Sequence, residues 1–222
     1  MELTPDITRH EITIVGCGPG GEDYLLPAGL KVIQAADVLA GSPRLLETFA
    51  AETQTQICMK GGVTALLDEL TPHVGSKKIA VLVTGDPGLY SLARNVISHF
   101  GHEKCRVIPG VSSIQTAFAR VALDWQDALI ISTHGRTPVV EPGFAESRNK
   151  IAVLAGGEAS RKWLCSLTDA LGGRYQIVVC SNLTLQNERV EYVSTTELCT
   201  VPLPSKSVVL FIDEERNERS LL

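Results

Sequence analysis

Apolar residues in the first half of the chain gather into short continuous runs. Ile12–Val15, Val38–Ala40 and Ile79–Val83 are such runs, and they predict strands buried on both faces, as in a parallel sheet. Between them the apolar positions return at helical spacing. Leu30, Val32, Ile33 and Ala36 predict a helix over Pro27–Ala36, and Arg44–Phe49 a second. Val63, Leu66, Leu67 and Leu70 define a third. Leu89, Leu92, Ala93, Val96, Ile97 and Phe100 follow the same period, so a fourth helix is expected straight after the Ile79–Val83 strand. Thr55–Cys58 and Arg106–Ile108 complete the strands, and the β-α alternation implies a mostly parallel sheet.

The second half reads differently. A helix over Ile114–Val121 precedes strands at Leu129–Ser132, Ile151–Leu154 and Tyr175–Cys180, with another helix ending at Leu171. Glu188–Val193 and Ser207–Ile212 read as closing antiparallel strands. Thr137–Asn149 reads as loop with one helix, and Asp213–Leu222 as a charged, frayed tail. The expected division is an N-terminal α/β lobe over 1–110 and a C-terminal α/β lobe over 111–222.

Each buried strand ends in small residues. The first runs into Gly16-Cys17-Gly18-Pro19-Gly20-Gly21, the central one into Thr84-Gly85-Asp86-Pro87-Gly88, and a third into Pro109-Gly110-Val111-Ser112-Ser113. Open α/β sheets bind ligands at the carboxyl edge of their strands, so these turns are the candidate site. An ordinary strand–helix connection would account for any one of them, and Ser112 or Ser113 would serve equally well as a helix cap. Gly16, Gly18 and Gly21 also satisfy G-x-G-x-x-G, which raises a nicotinamide-dependent reductase as an alternative. Two supports are missing: Pro27 delays the helix, and no acidic residue follows the second strand. Thr133-His134-Gly135-Arg136 ends the Leu129–Ser132 strand, and a cation pair there suits an anionic ligand as well as a solvated loop.

Composition narrows the classes. A net charge of -5 argues against a nucleic-acid binder, which would need a basic face. No signal-peptide core or membrane-length apolar run occurs, so a soluble, cytoplasmic protein with no membrane partner is expected. The 6 cysteines lack C-x-x-C spacing and read as separate buried thiols, neither a disulfide frame nor a metal site. His99 and His102 lack the further ligands a metal would need.

Taken in register, G-C-G-P-G, V-T-G-D-P-G-L-Y-S, V-I-P-G-V-S-S, S-T-H-G-R and S-N-L-T-L-Q-N-E-R-V resemble the tetrapyrrole methylases, the S-adenosylmethionine enzymes of corrin and sirohaem synthesis. The resemblance spans essentially Ile12 to Ile212, and G-D-P-G-L-Y-S with H-G-R point to the branch acting on carbon 5 of the corrin precursor. Thr133 departs from the pattern, since an apolar residue is expected before H-G-R.

The resemblance implies a two-lobed α/β fold, each lobe a mostly parallel or mixed sheet flanked by helices, with the cofactor in the interlobe cleft of a homodimer. It assigns S-adenosyl-L-methionine to Cys17, Gly18, Pro19, Asp86, Leu89, Tyr90, Ser112 and Ser113, and to Leu154, Ala155, Asn182 and Leu183 beside the adenine. His134 and Arg136 are the candidates for gripping a polycarboxylate tetrapyrrole, Arg136 bidentately. No general base and no protein-bound metal is assigned. The chain is too short to carry the carbon 15 methyltransferase/decarboxylase domain fused to some relatives, so a separate enzyme is expected for that step.

A sulfonium methyl is already reactive, and the electron-rich ring carbon is already nucleophilic. Positioning and exclusion of water would therefore supply most of the acceleration. Asp86 is expected to position the cofactor by hydrogen bonds. A methylase for another tetrapyrrole carbon, a diphthine synthase or a non-catalytic nucleotide-binding module are the remaining alternatives.

Overall fold

The computed structural model describes residues 11–134, 138 and 148–213. The chain splits into two compact units, Met1–Ser112 and Ser113–Leu222.

In the first unit, strands β1 (Ile12–Gly16), β2 (Val38–Gly41), β3 (Thr55–Cys58), β4 (Ile79–Val83) and β5 (Cys105–Ile108) form a sheet in the order β3-β2-β4-β1-β5. Every pairing is parallel. Each β4 residue is buried, and its alternation feeds two cores. Ile79, Val81 and Val83 pack with α3 (Val63–Leu70) and α4 (Ala93–Phe100). Ala80 and Leu82 pack with α1 (Pro27–Ala35) and α2 (Pro43–Phe49). A strand with helices on both faces has no polar side, which is why its sequence is a continuous apolar run.

The fourth helix begins later than its period suggests. Leu89 closes a turn on the Asp86 carbonyl, Tyr90 takes a left-handed φ of 46°, and regular helix starts only at Ala93. Ser91 holds this break by donating to the Pro87 carbonyl and accepting from the Ala93 N–H. A non-glycine residue at positive φ cannot sit inside a right-handed helix, so the local turn overrides the apolar spacing.

The second unit opens with α5 (Ser113–Arg120), followed by β6 (Leu129–Ser132), β7 (Lys150–Ala155), α6 (Gly157–Leu171), β8 (Gln176–Ser181), β9 (Arg189–Val193), α7 (Thr195–Leu198) and β10 (Ser207–Ile212). The sheet order is β6-β7-β10-β8-β9, with β6 and β7 parallel and β10 antiparallel to both its neighbours. Trp163, Leu164, Leu167, Leu198, Val209 and Phe211 centre one core, and α5 packs along β10. Lys150, buried at the start of β7, is neutralised by Asp124 at 2.6 Å, which fixes the connection before β6.

The separate-thiol reading needs one correction. Cys165 of α6 and Cys199, just after α7, form a disulfide with Cα atoms 5.8 Å apart. A sequence separation of 34 hid the pair, which arises because α7 packs on α6. Cys17, Cys58, Cys105 and Cys180 are free. No helix among the described residues is long and apolar enough to cross a membrane.

Candidate functional site

In the first sheet, the connection leaving β1 crosses toward β2, whereas the one leaving β4 crosses toward β5 on the other side. Adjacent strands whose connections diverge leave a crevice at their carboxyl ends, the place where open α/β sheets take ligands. Gly16–Gly21 and Thr84–Gly88 leave from that point, and the register puts Ile108, hence Pro109–Ser112, level with Val15.

Backbone approaches backbone closely there. Gly18 bridges to Gly85, whose N–H donates to the Gly18 carbonyl at 2.7 Å, and the Cys17 N–H donates to Val83. A Cβ on Gly16 would stand 2.6 Å from the Gly110 nitrogen, so only glycine permits the three strand ends to converge. The Asp86 carboxylate locks the arrangement, accepting from the Gly88 N–H at 2.8 Å and the Gly110 N–H at 3.0 Å. Asp86 thereby ties the Gly88 and Gly110 turns together through their backbone N–H groups.

The first unit therefore brings Cys17, Gly18, Pro19, Asp86, Leu89 and Ser112 to one edge. Tyr90 stands exposed on the rim, while Ser112 is buried. Cys17 points away from the edge. Its thiol is in the α1/α2 core with Sγ toward the Val15 carbonyl, and burial pushes its pKa up to about 12. Any ligand contact there belongs to its backbone. The G-x-G-x-x-G alternative lacks its structural context, because Glu22–Tyr24 is a single 3-10 turn and α1 opens only at Pro27.

The second unit gathers its own set. β6, β7 and β8 run the same way, so His134, Leu154–Ala155 and Asn182–Leu183 share one sheet edge. Ser207 of β10 lies between, opposite both Ala155 and Ser181. Thr133, the residue that departs from the family pattern, is buried, and its hydroxyl meets the Leu154 carbonyl at 3.0 Å and Ser160 Oγ at 2.7 Å. Ser160 in turn bonds both backbone groups of Gly156. This hydroxyl network, which sequence reasoning missed, ties the ends of β6 and β7 to the first turn of α6.

Asn182 (φ 51°) and Thr184 (φ 68°) adopt left-handed backbone. Glu188 holds that turn by accepting the Thr184 N–H while taking the Arg120 guanidinium on both oxygens. A cavity of about 450 Å³ adjoins it, lined by Ser181, Asn182, Leu203, Pro204, Arg161 and Arg189 among others. Its volume suits a nucleoside-sized ligand, and its lining mixes apolar, amide and charged side chains, Glu191 among the last.

Exposed His134 has its pKa drawn below the ordinary value by partial desolvation. Arg136 lies outside the described residues. Ser113 begins α5.

The family model for tetrapyrrole (corrin/porphyrin) methylases matches residues 11–199. The chain belongs to this family. As a tetrapyrrole methylase it is 32% identical over 183 residues to the cobalt-precorrin-7 C(5)-methyltransferase of Salmonella typhimurium, covering 82% of this chain and 90% of that protein. It is 30% identical to the probable cobalt-precorrin-7 C(5)-methyltransferase of Methanocaldococcus jannaschii, covering 92% and 99%. Among solved structures, the uroporphyrin-III C-methyl transferase of Thermus thermophilus complexed with S-adenyl homocysteine superposes with a TM-score of 0.74 at 17% identity, covering 93% and 99%. That likeness carries the fold.

Proposed function

We propose that the protein is an S-adenosylmethionine-dependent C-methyltransferase of cobalamin biosynthesis that methylates carbon 5 of cobalt-precorrin-7. The similarity over 82% of this chain and 90% of the Salmonella enzyme carries this reading. The residues fit the cofactor. The β1, β4 and β5 ends offer close-packed backbone with one carboxylate, and the Asn182 cavity offers an adenosine-sized volume. Cys17, Gly18, Pro19, Asp86, Leu89, Tyr90 and Ser112 of the first unit are its proposed contacts. Ser113, Leu154, Ala155, Asn182 and Leu183 of the second are the further candidates, the last four for the adenine.

When bound, the cofactor supplies an electrophilic methyl group on sulfur. The chain's contribution is orientation. Asp86 fixes two turns at once, Thr133 and Ser160 fix the Leu154–Gly156 segment, and Glu188 fixes the Asn182 turn. Holding reactants at attack geometry in a water-poor site is the largest lever available to such a reaction. His134 would serve the substrate as a hydrogen-bond donor to a carboxylate, with Arg136 the proposed charged partner.

A cytoplasmic homodimer is part of the proposal, as is a separate enzyme for the carbon 15 methylation and decarboxylation. The Salmonella relative, named for carbon 5 alone, supports the latter. Calorimetric titration with S-adenosylhomocysteine, NADH and NADPH tests the class. Micromolar binding of the first alone is expected and leads on to the turnover assay on cobalt-precorrin-7. Tight nicotinamide binding without homocysteine-analogue binding would overturn the reading.

A further inference from the structure

Arg44 is a half-buried cation at the first unit's strand-end edge to which the motifs assign nothing. It stands in the first turn of α2, directly after Pro43, where β2 reaches the same carboxyl edge as β4 and β1. Its Nη1 donates to the Gly20 carbonyl and its Nη2 to Thr84 Oγ1, each at 3.3 Å, so it spans the two turns that flank the crevice.

Three features make this an unusual place for a guanidinium. A cation in the first turn of a helix faces the positive end of the macrodipole. The side chain is half-buried, and desolvation draws its pKa down. No carboxylate answers it: the ion pairs among the described residues use Arg120, Lys150, Arg161 and Arg174. The group that interacts with it electrostatically is Cys17, whose raised thiol pKa leaves it uncharged at pH 7. Both of its bonds run to neutral oxygens at long distance, and five N–H donors leave a fork still available. A partly desolvated charge with neutral partners is costly until an anion pairs with it.

We propose that Arg44 is a carboxylate receptor: its guanidinium, slung between the Gly20 and Thr84 turns, pairs with a carboxylate of a ligand bound at this edge. The inference rests on the methyltransferase reading, under which two ligands bring carboxylates, the methionyl tail of the cofactor and the periphery of the tetrapyrrole.

The test uses Arg44→Gln and Arg44→Lys in the full chain. Kd is measured by calorimetry for S-adenosylhomocysteine and for methylthioadenosine, which lacks the carboxylate, and KM is measured for cobalt-precorrin-7. The expected result for Arg44→Gln is a loss of about ten- to a hundredfold on one carboxylate ligand, with methylthioadenosine unchanged. Loss on S-adenosylhomocysteine assigns Arg44 to the cofactor tail. A rise in the cobalt-precorrin-7 KM at unchanged S-adenosylhomocysteine Kd assigns it to the substrate. Arg44→Lys should recover part of either loss, since it keeps the charge and loses the fork. Unchanged binding of all three ligands would overturn the proposal. So would a parallel loss of methylthioadenosine, which would make Arg44 a stitch between turns. Failure of the unaltered protein to bind S-adenosylhomocysteine would instead overturn the functional reading.

Discussion

Substituting Gly16 by alanine should dismantle the site without touching a ligand group. The new Cβ would lie 2.6 Å from the Gly110 nitrogen, 2.7 Å from its Cα and 2.8 Å from the Gly85 oxygen. All three are backbone atoms, so no side chain can swing away, and the ends of β1, β4 and β5 must spread. Overpacking of this kind costs about 1 to 3 kcal/mol. The same spreading stretches the Gly110 N–H bond to Asp86, now 3.0 Å, and a hydrogen bond to a charged group contributes about 1.5 to 3 kcal/mol. The sum, about 2.5 to 6 kcal/mol, is a large part of a typical domain's stability. The assay must see the first unit. Both tryptophans, Trp125 and Trp163, belong to the second, so their fluorescence is blind to this change. Native-state hydrogen exchange of the β1, β4 and β5 amides reads it directly, alongside calorimetry with S-adenosylhomocysteine. A Gly16→Ala protein whose amide protection falls by less than about 1 kcal/mol, and which keeps its affinity, would refute the claim that this convergence builds the site.

Two further predictions concern the second unit. Thr133→Val removes the hydroxyl at nearly constant shape. Leu154 keeps the Thr133 N–H and Ser160 keeps Gly156, so a loss of only about 1 kcal/mol is expected in urea denaturation followed at Trp163, with Thr133→Ser restoring it. A loss equal in the serine variant would point to packing instead. The Glu188 carboxyl is held below its ordinary value near 4.5, first by the hydrogen bond from Arg120, which outweighs desolvation, and further by the Thr184 N–H and the Arg120 charge. Because the folded value is the lower one, its stabilisation is whole above pH 4.5 and is lost as pH falls through the folded value. Protection of the Thr184 amide should hold at neutral pH, collapse below that value, and already be weak at pH 7 in Glu188→Gln. Equal protection in both proteins at pH 7 would remove Glu188 as the holder of the Asn182 turn.

Much of the fold was legible because its strands are buried on both faces and carry that fact in continuous apolar runs such as Ile79–Val83. The strand-end turns were legible because glycine and Asp-Pro-Gly chemistry is local. What escaped was non-local or decided by a few backbone angles. The start of α4 was misplaced because the apolar spacing continues through Leu89 while Tyr90 leaves helical space. The capping box of α7, Ser194 with Glu197, was readable as S-T-T-E but passed unnoticed in so short a helix. Arg44 looks in sequence like any solvated arginine beside a proline, and only its two bonds across twenty-four and forty residues reveal where it stands. The Cys165–Cys199 pairing belongs to the same class, set by the packing of α7 on α6.

The strand order of the second sheet has a consequence for the birth of the molecule. β10, the last of the described strands in chain order, occupies the middle of that sheet, between β7 and β8. Until Ser207–Ile212 clears the ribosome, β7 and β8 have no partner between them, and their apolar faces must wait. The first sheet has no such dependence, since all five of its strands precede residue 112. Vectorial synthesis therefore makes the two units unequal: the first completes early, and the second stays exposed to misassembly until β10 has been made.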